Sequence, residues 1–173
     1  DLSLGQAKLP LARQSTAYPE HARWTQENVV FATLNVPGSF NNRTIPTEMA
    51  ARDQAVVAWV VETFHEARAQ QRRAVVLAFQ ANPFASGGKP HEAYAAVMNA
   101  ITRETLNFAG EVLLIHGDTH RYRVDRSLVD TRTNHPVRNL TRIEVFGYPL
   151  VNWVRVKVSE REGRVTFSAS PGQ

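Results

Sequence analysis

The sequence predicts an α/β fold in which a parallel β-α-β-α-β core is followed by antiparallel strands. Three observations carry that expectation: three short, almost unbroken apolar runs, two segments between them with helical spacing, and two-residue alternation towards the end of the 173-residue chain. An unbroken apolar run marks a strand covered on both faces, whereas alternation marks a strand covered on one. Strand–helix–strand order joins parallel neighbours through right-handed crossovers.

Residues 1–27 show no sustained period, are interrupted by Pro10 and Pro19, and are expected to be an irregular lead-in to one α/β domain over residues 28–173. Residues 28–36 (Asn-Val-Val-Phe-Ala-Thr-Leu-Asn-Val), closed by Pro37-Gly38, predict a central strand. From Pro46 onward Met49, Asp53, Val56, Val57, Val60, Val61 and Phe64 recur three and four apart, one helical face on which Asp53 is the only polar member. Pro46 suits a first turn because its φ is already helical and its missing N–H needs no partner there; the helix should run to about Gln71, with Trp59 in the core. Ala74 to Phe79 repeats the buried-strand signature, and Gly87-Gly88-Lys89-Pro90 makes a turn. A second helix is expected from about His91 to Phe108, stopped by Gly110. Glu111 to Ile115 is the third apolar run and leads directly into His116-Gly-Asp-Thr-His120. Ile143 and Val145, then Val154, Val156 and Val158, then Val165 and Phe167 alternate with polar residues, so an antiparallel set with a hairpin turn at Glu162-Gly163 is expected.

Composition narrows the chemistry. The absence of Cys removes disulfides, thiol nucleophiles and thiolate metal ligands. No apolar run approaches the roughly 18 residues of a membrane span. The chain opens on Asp1 without a leader pattern, as a processed or excised piece would. A net charge of +4 favours anionic partners, and Arg121, Arg123, Arg126, Arg132, Arg138 and Arg142 cluster with only Asp125 and Asp130 among them. No phosphate-binding P-loop and no Gly-x-Ser-x-Gly elbow is present.

Ligands of open α/β sheets gather beyond the carboxyl ends of parallel strands, where His116, Asp118 and His120 fall. Imidazole nitrogens and a carboxylate suit Zn, Mn or Fe, and Gly117 lets the backbone bend so that side chains converge. The plainer alternative is a turn in which Asp118 caps backbone amides and one His is buried. On the same edge Asn41, Asn42, Gln80 and Asn82 offer neutral amides, and Arg121 and Arg123 offer bidentate phosphate contacts; turn chemistry and a solvated strand edge are the corresponding alternatives.

Four stretches in order resemble the C-terminal half of a calcineurin-like metallophosphoesterase: residues 29–39, the Trp59 helix leading into residues 74–83, Leu113-Leu-Ile-His-Gly-Asp-Thr-His120, and Val154-Arg-Val-Lys-Val158. The Leu-Asn-Val-Pro-Gly-Ser-x-Asn-Asn loop and His-Gly-Asp-Thr-His are most similar to a bacterial, exported branch. The resemblance implies half of an αββα sandwich, hydrolysis of a phosphorylated small molecule by metal-activated water, a divalent Mn, Fe or Zn centre, and a periplasmic or secreted location. The family's lone His near the second stretch is matched by Gln80 or a neighbour, and the first His of its Gly-His-x-His by Asp118, so His120 alone matches directly. Its Asp-x-His, Gly-Asp and Gly-Asn segments do not occur before Asn28. The expectation is therefore one weak metal site at most, negligible hydrolysis by this chain alone, and a need for the missing N-terminal half or a homo-oligomer partner. The rival from another class is a non-catalytic module that has lost the metal centre and holds an anion through Arg121, Arg123 and Arg142, nucleic acid being the less favoured anion.

Overall fold

The computed structural model describes residues 10–126, 128–130 and 132–172. In chain order the elements are β1 (Ala12–Arg13), β2 (Ala22–Gln26), β3 (Val29–Thr33), α1 (Pro46–Ala69), β4 (Ala74–Ala78), a short 3-10 turn (Glu92–Tyr94), α2 (Ala95–Leu106), β5 (Glu111–His116), β6 (Arg123–Asp125), β7 (Leu140–Glu144), β8 (Val154–Arg161) and β9 (Arg164–Pro171). A seven-stranded sheet runs in the order β1-β2-β3-β4-β5-β7-β6, and β8-β9 form a separate hairpin. β3, β4, β5 and β7 are mutually parallel, as the strand–helix–strand order requires.

Side chains alternate across the sheet and sort into two cores. Val30, Ala32, Val75, Leu77, Val112 and Leu114 pack beneath Val56, Trp59, Val60 and Phe64 of α1 and Val97 and Ile101 of α2. On the other face Val29, Ala74, Val76, Leu113 and Ile143 meet Val165, Val156 and Phe167 of the hairpin. The result is three layers: helices, sheet, hairpin. Pro46 opens α1 as expected. Glu162 and Gly163, at φ 51° and 71°, turn the β8-β9 hairpin with the two positive-φ residues that match strand twist.

Two sequence expectations are corrected. The lead-in is not wholly irregular: residues 1–9 lie outside the described residues, but β2 extends the sheet antiparallel to β3, and β1 pairs antiparallel with β2. Its signal was hidden because β2 buries a polar residue. Arg23 is 6% exposed, pairs with Glu66 at 2.5 Å and Glu62 at 3.0 Å, and lies 4.3 Å from the Trp59 ring. Likewise the strand holding Ile143 belongs to the parallel set, not the antiparallel tail. Every residue of β7 is buried, including Arg142 and Glu144, so its apparent alternation reflects polar groups that are paired inside rather than exposed.

Candidate functional site

The carboxyl ends of β3, β4 and β5 are laced together by backbone. Leu34 N–H donates to Ala78 O at 2.9 Å, Ala81 N–H to Val36 O at 3.0 Å, and Gly117 N–H to Gln80 O at 3.1 Å. This rigid frame brings three sequence-distant groups into one chain of hydrogen bonds. Gly38 N–H donates to Gln80 Oε1 at 2.5 Å, Gln80 Nε2 donates to Asp118 Oδ1 at 3.3 Å, and Asn82 N–H donates to Asp118 Oδ2 at 3.2 Å. Gly38 lies so close that a Cβ there would sit 2.9 Å from Asp118 Oδ1 and push the carboxylate aside. Asp118 forms part of the wall of a small recess of about 110 Å³ with Ser39, Phe40, His91 and Tyr94.

The loop leaving β3 is unusual. Ser39, Phe40, Asn41 and Asn42 are all left-handed, at φ 52°, 55°, 60° and 55°. Non-glycine residues in that region cost about 1–2 kcal/mol each, so such a run persists only where its surroundings hold it. A buried polar clamp does so here. Asn41 is fully buried; its Nδ2 donates to both carboxylate oxygens of Asp53, at 3.0 and 3.1 Å, and to Ala93 O at 2.8 Å. Arg52, 2% exposed, donates from Nη1 to Asn41 Oδ1 at 2.6 Å, from Nη2 to Asn41 O at 2.9 Å, and from Nε to Glu48 Oε1 at 2.7 Å. Burial pushes the Asp53 carboxyl up while Asn41 and Arg52 oppose it; the Arg52 hydrogen bond holds Glu48 down. Asn42, the neighbouring amide, is spent on Glu48 Oε2 at 3.1 Å.

The three residues expected to hold metal point apart. His116 is 1% exposed and lies between the rings of Phe79 and Phe84, with centroids 6.3 and 6.2 Å away. Its Nε2 has no hydrogen-bond partner among the described residues, and desolvation lowers its pKa to about 4, so the ring is neutral and enclosed. His120 is engaged elsewhere, its Nδ1 2.6 Å from Tyr148 O and its ring against Gly147. Asp118 alone faces the recess, held by neutral N–H donors as in the amide-capping alternative. Among the described residues no group of three or more His, Asp and Glu side chains is arranged to hold a metal. These residues therefore do not fit a two-metal centre by themselves.

A second concavity of about 510 Å³ adjoins the first across Asn82, Ala85 and Ser86 and is bordered by Thr119, Arg121, Arg123 and Glu144. Asn82 Nδ2 donates to Thr119 Oγ1 at 2.7 Å, the Thr119 hydroxyl donates to Glu144 Oε1, and Arg121 N–H donates to the same oxygen at 3.2 Å. No described carboxylate pairs with the guanidinium of Arg121 or Arg123. The rest of the arginine cluster disperses. Arg142 is buried against Asp125 and lies over the Phe84 ring at 4.3 Å, Arg132 pairs with Asp130 at 3.5 Å, and Arg126 reaches Glu111 at 3.9 Å.

Arg52, Thr119 and Glu144 are structural members of this edge that the sequence did not single out; Asp53 had left a signal, as the lone polar residue on the apolar face of α1. What the edge offers chemically, among the described residues, is one carboxylate in a recess, a set of oriented amides, and two guanidiniums beside it that no described carboxylate pairs with. No family model and no curated protein matches this sequence.

Proposed function

We propose that the carboxyl edge of the parallel strands is one part of a metal-dependent phosphoesterase site, completed by acids from another segment or a partner chain. In this reading the chain resembles the C-terminal half of a calcineurin-like αββα sandwich, and its ligand is a phosphorylated small molecule. The observation that carries it is the convergence of Gly38, Gln80, Asn82 and Asp118 from three adjacent strand ends, with Arg121 and Arg123 bordering the adjoining concavity without a carboxylate partner among the described residues. Asp118 is the carboxylate offered to Mn, Fe or Zn; Gln80 and Asn82 orient it. Arg121 and Arg123 supply the fork geometry that guanidinium brings to phosphate oxygens. A divalent ion, when bound, polarises water; this chain's own residues position the ester.

Calorimetric titration with Mn²⁺ tests the reading. One weak site is expected, weakened about tenfold or more in Asp118→Asn, because a charged ligand oxygen is lost, and little changed in His116→Phe. Binding that survives Asp118→Asn contradicts it.

The orientation of His116 and His120 away from Asp118 favours a second reading, a non-catalytic module that holds a phosphate anion without metal. Metal-free phosphate binding lost in an Arg121→Gln/Arg123→Gln variant but retained in Asp118→Asn supports that alternative against the first.

A further inference from the structure

A concavity of about 650 Å³ lies at the opposite, amino end of the parallel strands and plays no part in the site above. Its walls come from three places: the end of α1 with Arg68 and Arg72, the entry to β4 with Arg73, and the hairpin turn with Gly163 and Arg164. Its floor is fixed. Asn139 Nδ2 lies within hydrogen-bonding distance of the carbonyls of Thr105, Phe108 and Gly110, and Gly110 packs so tightly on Arg73 O that a Cβ would meet it at 2.2 Å.

Charge is unbalanced there. Arg68 shares Glu104 with Arg103, at 3.1 and 3.2 Å, and Arg164 shares Glu111 with Arg126, at 3.3 and 3.9 Å. Among the described residues Arg72 donates to neutral oxygens, Gln70 Oε1 and Glu27 O, and neither Arg72 nor Arg73 has a carboxylate partner. Among the described residues that line the cleft, the four guanidiniums of Arg68, Arg72, Arg73 and Arg164 face one carboxylate, Glu111. The carboxyl ends of α1 and α2 explain Arg68 and Arg103, which sit in their last turns and offset the negative end of each helix. They do not explain Arg73, at the mouth of a strand, or Arg164, on the hairpin. The Gly163 turn brings the hairpin close to Arg73: a Cβ on Gly163 would lie 3.8 Å from Arg73 Nη2.

We propose that this cleft is a second anion site, independent of the carboxyl edge, for a compact molecule bearing two or more linked phosphate groups. The volume is that of a small-molecule pocket rather than of a nucleic-acid track. Guanidiniums on separate walls favour one ligand with several anionic groups over a single phosphate.

Pyrophosphate is the probe. Calorimetry at low salt should show one saturable site, bound about tenfold or more tighter than inorganic phosphate and weakened with rising salt as screening requires. Arg73→Gln and, separately, Arg72→Gln should each weaken it severalfold, while Arg121→Gln/Arg123→Gln and Asp118→Asn leave it unchanged; those two variants report on the phosphoesterase reading, so the two ideas fail separately. In ¹⁵N spectra the Gly110 and Gly163 amides should move and those of Gly38 and Gly117 should not. The proposal is overturned by no saturation up to about 10 mM, by loss in the Arg121/Arg123 variant instead, by movement of Gly38 and Gly117 instead, or by a DNA duplex that binds these arginines and is not displaced by pyrophosphate.

Discussion

The two ends of the parallel strands solve opposite problems. At the carboxyl end four consecutive non-glycine residues are left-handed, and Arg52, Asn41 and Asp53 are buried and mutually satisfied beneath them. At the amino end the left-handed residues are ordinary turn positions: Glu27 turns β2 into β3, Gln71 follows the end of α1, and the Glu162-Gly163 pair turns the hairpin. There the charges are exposed, and guanidiniums outnumber their carboxylate partners. Conformational strain held by a buried network keeps a few groups in a set geometry, which suits chemistry; surplus exposed charge attracts an anion without fixing it tightly.

That contrast can be broken by substitution. Arg52→Ala removes the cation that holds Asn41 and Glu48 and leaves Asp53 buried; a loss of about 3–5 kcal/mol in urea unfolding is expected, the cost of stranding a buried charge. A loss under 1 kcal/mol would show that the clamp does not hold the loop.

Acid should weaken the carboxyl end as well. The folded-state pKa of His116, about 4, lies below its ordinary 6.5, so the unfolded chain binds the extra proton between those values. Stability is then fully present above pH 6.5 and falls by about 3 kcal/mol as pH drops to 4. Burial lowers His21 in the same direction. His116→Phe, which places an apolar ring between Phe79 and Phe84, should flatten much of this slope; an unchanged slope would show that His116 is not its source.

Smaller effects sharpen the picture. Ser39→Gly relieves one left-handed residue and should raise stability by up to about 1 kcal/mol, while loosening Gly38 against Gln80 and so weakening the Mn²⁺ binding proposed at Asp118. At the amino end Arg73→Gln, an exposed change, should move stability by no more than about 0.5 kcal/mol. A large loss there would make Arg73 part of the scaffold and not of a binding surface.

How much of this was legible in the sequence depends on how the residues are satisfied. β3, β4 and β5 and both helices showed themselves because their partners are apolar and any apolar neighbour will do, so local pattern suffices. β2 and β7 were misread because Arg23, Arg142 and Glu144 are buried on the strength of partners such as Glu66, Asp125 and Thr119, which no local period reveals. His-Gly-Asp-Thr-His marked the right edge, since strand ends are readable, but not the directions of its side chains. Those follow from positive φ at Asp118 and His120, 77° and 61°, and from the packing of His116 between two phenylalanines.

The most direct test is hydrolysis of an aryl phosphate ester by this chain with saturating Mn²⁺, alongside Asp118→Asn. Because Asp118 is, among the described residues, the one carboxylate lining the recess and the proposed centre requires further acids, turnover should not exceed that of Asp118→Asn. Substantial turnover by the chain alone, abolished by Asp118→Asn, would show that the residues described here already make a working centre and would contradict the account.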